Sequence, residues 1–305
     1  MKLGIVGLGR MGANMARHAV EKGHEVVGFD ASDEARRTLA AEGIEPAGSL
    51  AEMAEKLPGR RVIFLYVPHG QPTDDVCEQL RPLLTPDDIV VDGGNSHWAD
   101  SQRRHAEFSE AHVGFLDIGT SGGVRGARNG ACFMVGGERA DFDVVEPLLL
   151  DLAVDPEAVV YAGVSGAGHF TKLVHNAIEF GMVQAIAEGV ELLQRSEFEL
   201  DLAALFNNWN HGSVIRSWLV ELMCEALKDV DLAELSTYVE DTAEVKWVLS
   251  WALEQDIPTP VTSDAQQALM EFRDLDWPAA KAVALLRHGY GGHPVHKANE
   301  HKQRR

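Results

Sequence analysis

Lys2-Leu3-Gly4-Ile5-Val6-Gly7-Leu8-Gly9-Arg10-Met11-Gly12 opens the chain with a short apolar run that passes, through its glycines, into a helical pattern ending near Gly23. Strand, Gly-x-Gly-x-x-Gly, then helix is the order that a dinucleotide needs. Gly7 permits the tight turn, Gly9 lets the backbone approach a pyrophosphate, and Gly12 lets the helix pack closely on the strand. The free N–H groups and partial positive charge of the helix N-terminus then face the phosphates. Gly7, Leu8, Gly9, Arg10, Met11 and Gly12 are therefore candidate cofactor-binding residues. A glycine triplet alone marks only a glycine-rich turn, but here the next strand, His24 to Phe29, ends in Asp30, eighteen residues past Gly12. That is close to the position from which an acid hydrogen-bonds a ribose 2′-hydroxyl. Asp30 would accept from the free hydroxyl of NAD and repel the 2′-phosphate of NADP, and Ala31-Ser32-Asp33 brings no arginine to that phosphate. The expected cofactor is NAD, with NADP disfavoured; the alternative role for Asp30 is to cap the helix starting near Asp33 or Glu34.

Further βα units follow. Arg61 to Val67 is an apolar strand ending in Val67-Pro68; Ile89 to Val91 leads into Asp92-Gly93-Gly94-Asn95-Ser96; and Phe115 to Ile118 precedes a second glycine-rich stretch. In an open parallel sheet, ligands lie outside the carboxyl ends of the strands, which makes Val67, Pro68, Asn95 and Ser121 candidate wall residues. Asn95 serves equally as a turn-former. Gly119 to Gly130 reads either as a flexible surface loop or, through Ser121-Gly122-Gly123, as a small nest for a carboxylate. From about His169 the pattern turns helical, with candidates at Phe170 to Gln194, Leu202 to Leu227 and Thr242 to Gln255. The expected fold class is α/β, an N-terminal Rossmann-type doubly wound parallel sheet followed by an all-α C-terminal domain built on a long central helix. The expected domains are residues 1–165, dinucleotide-binding, and 166–305, helical and serving substrate binding and oligomerisation.

Composition narrows the partners. Acids outnumber bases 47 to 27, a net charge of −20 that opposes a nucleic-acid partner and requires a local basic cluster for any anionic substrate. A charged segment followed by an apolar leader is missing, as is any apolar run of about 18 residues, so neither secretion nor membrane spanning is expected. Three widely separated cysteines, Cys77, Cys132 and Cys224, argue for a reducing compartment and against a metal site. The expected location is the cytoplasm.

The chemistry concentrates in His169-Phe170-Thr171-Lys172-Leu173-Val174-His175-Asn176-Ala177-Ile178-Glu179. Helical geometry gathers Lys172, His175, Asn176 and Glu179 on one face, offering a base, two hydrogen-bonding groups and an acid. Taken alone, the same spacing also describes a solvated polar stripe.

Together with Gly7 to Gly12, Asp92 to Ser96, Ser121-Gly122-Gly123, Gly126-Ala127-Arg128, Gly166 to Phe170 and the tail Arg287 to His293, this stretch resembles the 6-phosphogluconate dehydrogenase family in its short form. The resemblance runs from end to end. It implies oxidative decarboxylation of a small-molecule sugar acid, with Lys172 as general base and Glu179 as general acid. Asn95, Ser121, Gly122, Gly123, His175 and Asn176 would then bind substrate. It also implies a phosphate held by Arg287 and His293, whose tail reaches a neighbouring subunit, and hence a homodimer or homotetramer. The chain departs from the family where the phosphate binds. Phe180 replaces a tyrosine, a lysine position falls at Thr242, and an arginine position falls at Leu269, with Arg273 one helical turn later. A dehydrogenase acting on an unphosphorylated or smaller hydroxy acid is the alternative within the wider β-hydroxyacid family. A nucleotide-sensing protein without catalysis would not need Lys172 and Glu179.

Overall fold

The computed structural model describes residues 1–230, 232–241, 243–272, 278–291 and 294–295. Its strands are β1 (Lys2–Val6), β2 (Glu25–Phe29), β3 (Glu45–Pro46), β4 (Val62–Leu65), β5 (Ile89–Asp92), β6 (Gly114–Ser121), β7 (Cys132–Gly136) and β8 (Val159–Gly163). They form one sheet in the order β3-β2-β1-β4-β5-β6-β7-β8, parallel throughout except for the antiparallel β6–β7 pair. The helices between them are α1 (Arg10–Glu21), α2 (Asp33–Ala40), α3 (Leu50–Lys56), α4 (Gln71–Leu80), α5 (Trp98–Ser109), α6 (Gly123–Asn129) and α7 (Arg139–Leu152). After the sheet come α8 (Ala167–Gln194), α9 (Leu202–Asn210), α10 (Trp218–Asp229), α11 (Glu244–Glu254), α12 (Pro260–Glu271) and α13 (Pro278–Gly291). No described helix is long and apolar enough to cross a membrane.

The sheet is covered on both faces, as a doubly wound fold requires, because successive side chains of a strand point to opposite sides. From β1, Leu3 and Ile5 enter one core with Met15, Ala16 and Phe142, while Val6 enters the other with Met53, Leu65 and Phe108. The strand order reverses between β1 and β4, and the crevice at their carboxyl ends is where a ligand of this fold lies.

The chain divides into two compact units, residues 1–179 with 243–258, and residues 180–242 with 259–305. In the second unit α9 and α10 pack around Val190, Phe206, Val220 and Cys224. The continuous helix expected over Leu202 to Leu227 is instead these two helices. Gly212 at φ +125° breaks the first, and the Ser217 hydroxyl accepts the Val220 N–H at 3.3 Å to start the second. Nor is Gly119 to Gly130 a flexible loop: β6 runs on to Ser121, Gly122 turns the chain at φ +112°, and α6 begins at once.

One buried carboxylate fastens α8 to the sheet. Asp117, mid-strand in β6 and fully buried, accepts the Gly166 N–H at 2.7 Å and the His169 N–H at 2.8 Å. These are two of the donors that a helix start leaves without partners, and a negative charge there also suits the helix dipole. The contact is close because the interface has no side chains in the way. A Cβ at Gly168 would stand 2.1 Å from the Asp117 carbonyl oxygen, and one at Gly119 would stand 2.4 Å from Lys172 Cβ. Asp117→Ala is expected to lower the unfolding free energy by about 2–4 kcal/mol, since it strands two buried N–H groups. The check is a lower urea midpoint at unchanged slope, with Asp117→Asn, which keeps one acceptor, falling between.

Candidate active site

The nucleotide cradle has the geometry that its glycines suggest. Gly7 takes φ +89°, and a Cβ at Gly12 would lie 1.9 Å from the Gly7 carbonyl oxygen, so the first turn of α1 sits directly on the loop. The space in front of Gly9 is open, and no side chain caps the N-terminus of α1, so its first N–H groups are left for a pyrophosphate. Leu8 is buried beneath the loop, whereas Arg10 is exposed and Met11 half-buried. Val67 and Pro68 leave β4 beside this loop, with Val67 Cγ1 3.0 Å from where a Gly7 Cβ would be. The residues present thus fit a dinucleotide.

Asp30 ties the end of β2 to the cradle. Its Oδ2 accepts the Leu8 N–H at 2.7 Å and its Oδ1 the Ser32 N–H at 2.8 Å. It does not cap α2; Ser32 does, through its hydroxyl to the Ala35 N–H at 3.3 Å. Each carboxylate oxygen keeps a lone pair for a ribose hydroxyl. Sequence reading overlooked Arg36, which comes back along α2 to donate to the Asp30 carbonyl and the Asp33 carboxylate.

The turn after β5 is set by a buried ion cluster. Asp92 accepts from the Gly94 N–H at 3.1 Å, the Ser96 hydroxyl at 2.7 Å and Arg104 at 3.2 Å, and Arg104, fully buried, also donates to Asp74 at 2.8 Å. A charged cluster so enclosed needs every partner in place, and it fixes the loop that carries Asn95. The Asn95 amide nitrogen donates to Glu244 Oε1 at 3.0 Å. Glu244, on α11, belongs to the same unit as the sheet and is 7% exposed.

On α8 the four polar side chains do share a face, and two of them are buried. Lys172 is 7% exposed and Asn176 8%, which excludes a solvated stripe. Lys172 Nζ donates to Asn176 Oδ1 at 2.8 Å and lies 3.4 Å from His175 Nδ1. Ser121 Oγ lies 3.0 Å from His175 Nε2, and His175 Nδ1 lies 3.2 Å from Asn176 Oδ1. One tautomer satisfies this chain: Ser121 donates to Nε2, and a proton on Nδ1 goes to Asn176. Glu179 Oε2 is 3.9 Å from His175 Nδ1 and remains partly open to solvent. Burial pulls the Lys172 ammonium below the ordinary lysine range, opposed by the charges of Glu179 and Glu244 and by Cys132. Burial likewise pushes the Cys132 thiol up, against the charge of Lys172. Below α8, His169 Nδ1 lies 2.7 Å from the Ser101 hydroxyl.

The structure thus brings together, within one unit, Gly7 to Gly12, Asp30, Val67, Pro68, Asn95, Ser121 to Gly123 and the α8 quartet. Arg287 is an exposed residue of α13 in the second unit. His293, Thr242 and Arg273 lie outside the described residues. Phe180 and Leu269 are half-buried. Glu244 and Cys132 were not legible as site residues. Asp117 carried a signal, a lone acid in the apolar run Phe115-Leu116-Asp117-Ile118, as did Asp92 at the end of another.

Residues 2–164 match the family model described as the NAD binding domain of 6-phosphogluconate dehydrogenase, and residues 168–270 match that of its C-terminal domain. A Bacillus subtilis protein, itself only provisionally assigned as a 6-phosphogluconate dehydrogenase, is 43% identical over 300 residues, 97% of this chain and 100% of that one. The NAD(+)-dependent, decarboxylating 6-phosphogluconate dehydrogenase of Haloferax volcanii is 40% identical over 302 residues, 98% of this chain and 100% of that one. Among solved structures, Plasmodium falciparum 6-phosphogluconate dehydrogenase, studied with its cofactor NADP+ and its substrate 6-phosphogluconate, superposes with a TM-score of 0.82 at 25% identity. The match covers 99% of this chain and 67% of that one. From the sheet with its Gly-x-Gly-x-x-Gly cradle, the α8 quartet and these relatives together, the chain belongs to the 6-phosphogluconate dehydrogenase family and is an oxidoreductase.

Proposed function

We propose that the chain oxidises and decarboxylates 6-phosphogluconate to ribulose 5-phosphate and carbon dioxide, preferring NAD. The observation that carries this reading is the buried Lys172 amine, bonded to Asn176 and held below its ordinary pKa, with Glu179 two helical turns along the same face. When bound, the dinucleotide supplies the hydride acceptor. Neutral Lys172 takes the proton of the C3 hydroxyl onto Nζ as C3 is oxidised to the carbonyl. The ammonium so formed donates to the new carbonyl oxygen, which receives the electron pair freed when the carboxyl group leaves as carbon dioxide; no metal is needed for this. Glu179 then gives its proton to the enediol carbon that the carboxyl left. His175 and Asn176 hold hydroxyls in reach, and Asn95, Ser121, Gly122 and Gly123 hold the carboxylate end. Arg287 and His293 serve the phosphate from a helical part, residues 166–305, that also forms a homodimer or homotetramer in the cytoplasm.

The NAD preference is supported by Asp30, whose carboxylate lies at the end of β2 beside the glycine cradle, bonded to the Leu8 N–H, and by Arg36, whose guanidinium is already engaged by Asp33. A 2′-phosphate would meet the first without help from the second. A smaller or unphosphorylated hydroxy acid remains the second reading because Phe180 and Leu269 offer no donor where the family is expected to hold phosphate, and charge-assisted donors are worth about 1.5–3 kcal/mol each.

Lys172→Met is expected to lower kcat by at least about 10³-fold, within the range of lost acid–base catalysis, while leaving NAD affinity nearly intact; unchanged turnover would sink the mechanism. In the wild type, kcat/KM falls on the acid side as Lys172 takes up a proton, with an apparent pKa below that of a free lysine. kcat/KM compared across 6-phosphogluconate, gluconate and 3-hydroxyisobutyrate, each with NAD and NADP, is expected to be highest for 6-phosphogluconate with NAD, by at least about tenfold over NADP, or ~1.4 kcal/mol. Gluconate as the best substrate would favour the second reading, and NADP as the better cofactor would contradict the role of Asp30.

A further inference from the structure

Two loops leave the carboxyl ends of β4 and β5, and one buried side chain reaches both. Arg104, on α5 and fully buried, binds one loop or the other with each of its nitrogens. Its Nη1 donates to the Asp92 carboxylate at 3.2 Å and to the Ser96 hydroxyl at 3.1 Å, residues that flank Asn95 in the chain. Its Nε donates to the Asp74 carboxylate at 2.8 Å and its Nη2 to the Gly70 carbonyl at 3.4 Å, both following Val67 and Pro68. The first loop is fastened to α4 as well, where the buried Thr73 hydroxyl donates to the Pro68 carbonyl at 2.9 Å. A rigid, permanently charged fork of donors suits acids that approach from two sides, whereas the compact ammonium of a lysine lacks that span.

The same loops are joined a second time, by a ring. Trp247 of α11 stands edge-on to His69 at 5.0 Å and to His97 at 5.2 Å; the first histidine follows Pro68 and the second follows Ser96. His97 also caps the helix that carries Arg104, its Nδ1 accepting the Ala99 N–H at 3.1 Å. An ion cluster and a ring contact, made by different side chains, therefore link the same two segments. All of these residues belong to the sheet-bearing unit.

We propose that Arg104 is a positioning residue that makes the loops after β4 and β5 one body, so that the dinucleotide wall at Val67 and Pro68 and the Asn95 amide are set together. This rests on the assignment of those three residues to the cofactor and substrate walls. Passing a hydride from substrate to dinucleotide requires the two to be held at a fixed separation. Loops free of each other would let either ligand settle without regard to the other. A shared buried cation removes that freedom, because a shift of one loop takes a partner from a charge that has no water to replace it.

Asp74 and Ser96 stand on opposite arms of Arg104 and are joined through it. The test is a double-mutant cycle of Asp74→Ala and Ser96→Ala, read in the dissociation constant of NAD by calorimetry and in KM for 6-phosphogluconate at saturating NAD. Asp74 is 30% exposed and its loss leaves Arg104 paired with Asp92, so the variant keeps the buried cation bonded. Each single variant is expected to raise both constants about fivefold, and the double variant to fall short of the product of the two by at least about threefold, within the coupling found for residues of one ion network. Arg104→Lys, which keeps the charge and loses the fork, is expected to raise both constants at least as far as either single variant. Arg103→Ala, which removes the exposed partner of Asp74 at 2.7 Å and leaves Arg104 in place, is expected to change neither. A purely structural role would lower the urea midpoint and leave both constants alone. Effects that multiply without coupling overturn the proposal. So does an Asp74→Ala protein whose KM for 6-phosphogluconate equals that of wild type, and this single comparison decides if the double variant does not fold. A wild type that binds NAD without turning over 6-phosphogluconate removes the proposed reaction instead, and the cycle read in NAD affinity then decides the role of Arg104.

Discussion

Two backbone N–H groups at the start of α8, those of Gly166 and His169, point at a single carboxylate, that of Asp117 in the middle of β6. The placement of Lys172, His175, Asn176 and Glu179 depends on that junction. With no side chain on Gly119, Gly136 or Gly168, the helix lies against the backbone of β6 and β7, close enough that Lys172 Cβ would collide with any residue larger than glycine at 119. The helix cannot rotate without breaking both bonds to Asp117, so its polar face is oriented by the sheet and not by the loop in front of it. A buried ionised group is an expensive anchor unless it is fully bonded, and here the helix start supplies donors that need an acceptor in any case.

The same logic recurs at the next strand end. Asp92 closes β5 as Asp117 occupies β6, and it organises the turn carrying Asn95 through Ser96 and the buried Arg104. The two acids, paired with each other in register across β5 and β6, divide the work: one sets the helix, the other sets the loop. Between the structures they fix lies Lys172, whose protonation balances burial against the charges of Glu179 and Glu244. Burial alone disfavours the charged amine, and nearby carboxylates alone favour it, so its protonation is set by the balance of the two.

Much of this was legible in the sequence, for identifiable reasons. The Gly7 to Gly12 cradle and Asp30 are local: a strand, a turn and a helix start within one βα unit and dictate each other's geometry. The α8 quartet was legible because helical spacing alone puts its members on one face. Less visible was anything requiring chain segments far apart to meet. Strands β7 and β8, five mostly apolar residues each, were not read as strands, and β7 runs antiparallel to β6 within an otherwise parallel sheet. Glu244 sits in a stretch that reads as an ordinary acidic helix start, and only the return of α11 to the first unit brings it to Asn95, 149 positions earlier in the chain. The long helix drawn from Leu202 to Leu227 failed because periodicity continued across a break that Gly212 and the Ser217 cap impose.

The account turns on the state of one amine, and the most direct measurement is its titration. Protein labelled with ¹³C at the lysine ε-carbon, with the Lys172 signal assigned by its loss in Lys172→Arg, gives the pKa of that side chain in the free enzyme. The account predicts a midpoint below that of the other lysines, as burial requires. A Lys172 that titrates together with the exposed lysines, or above them, would contradict it.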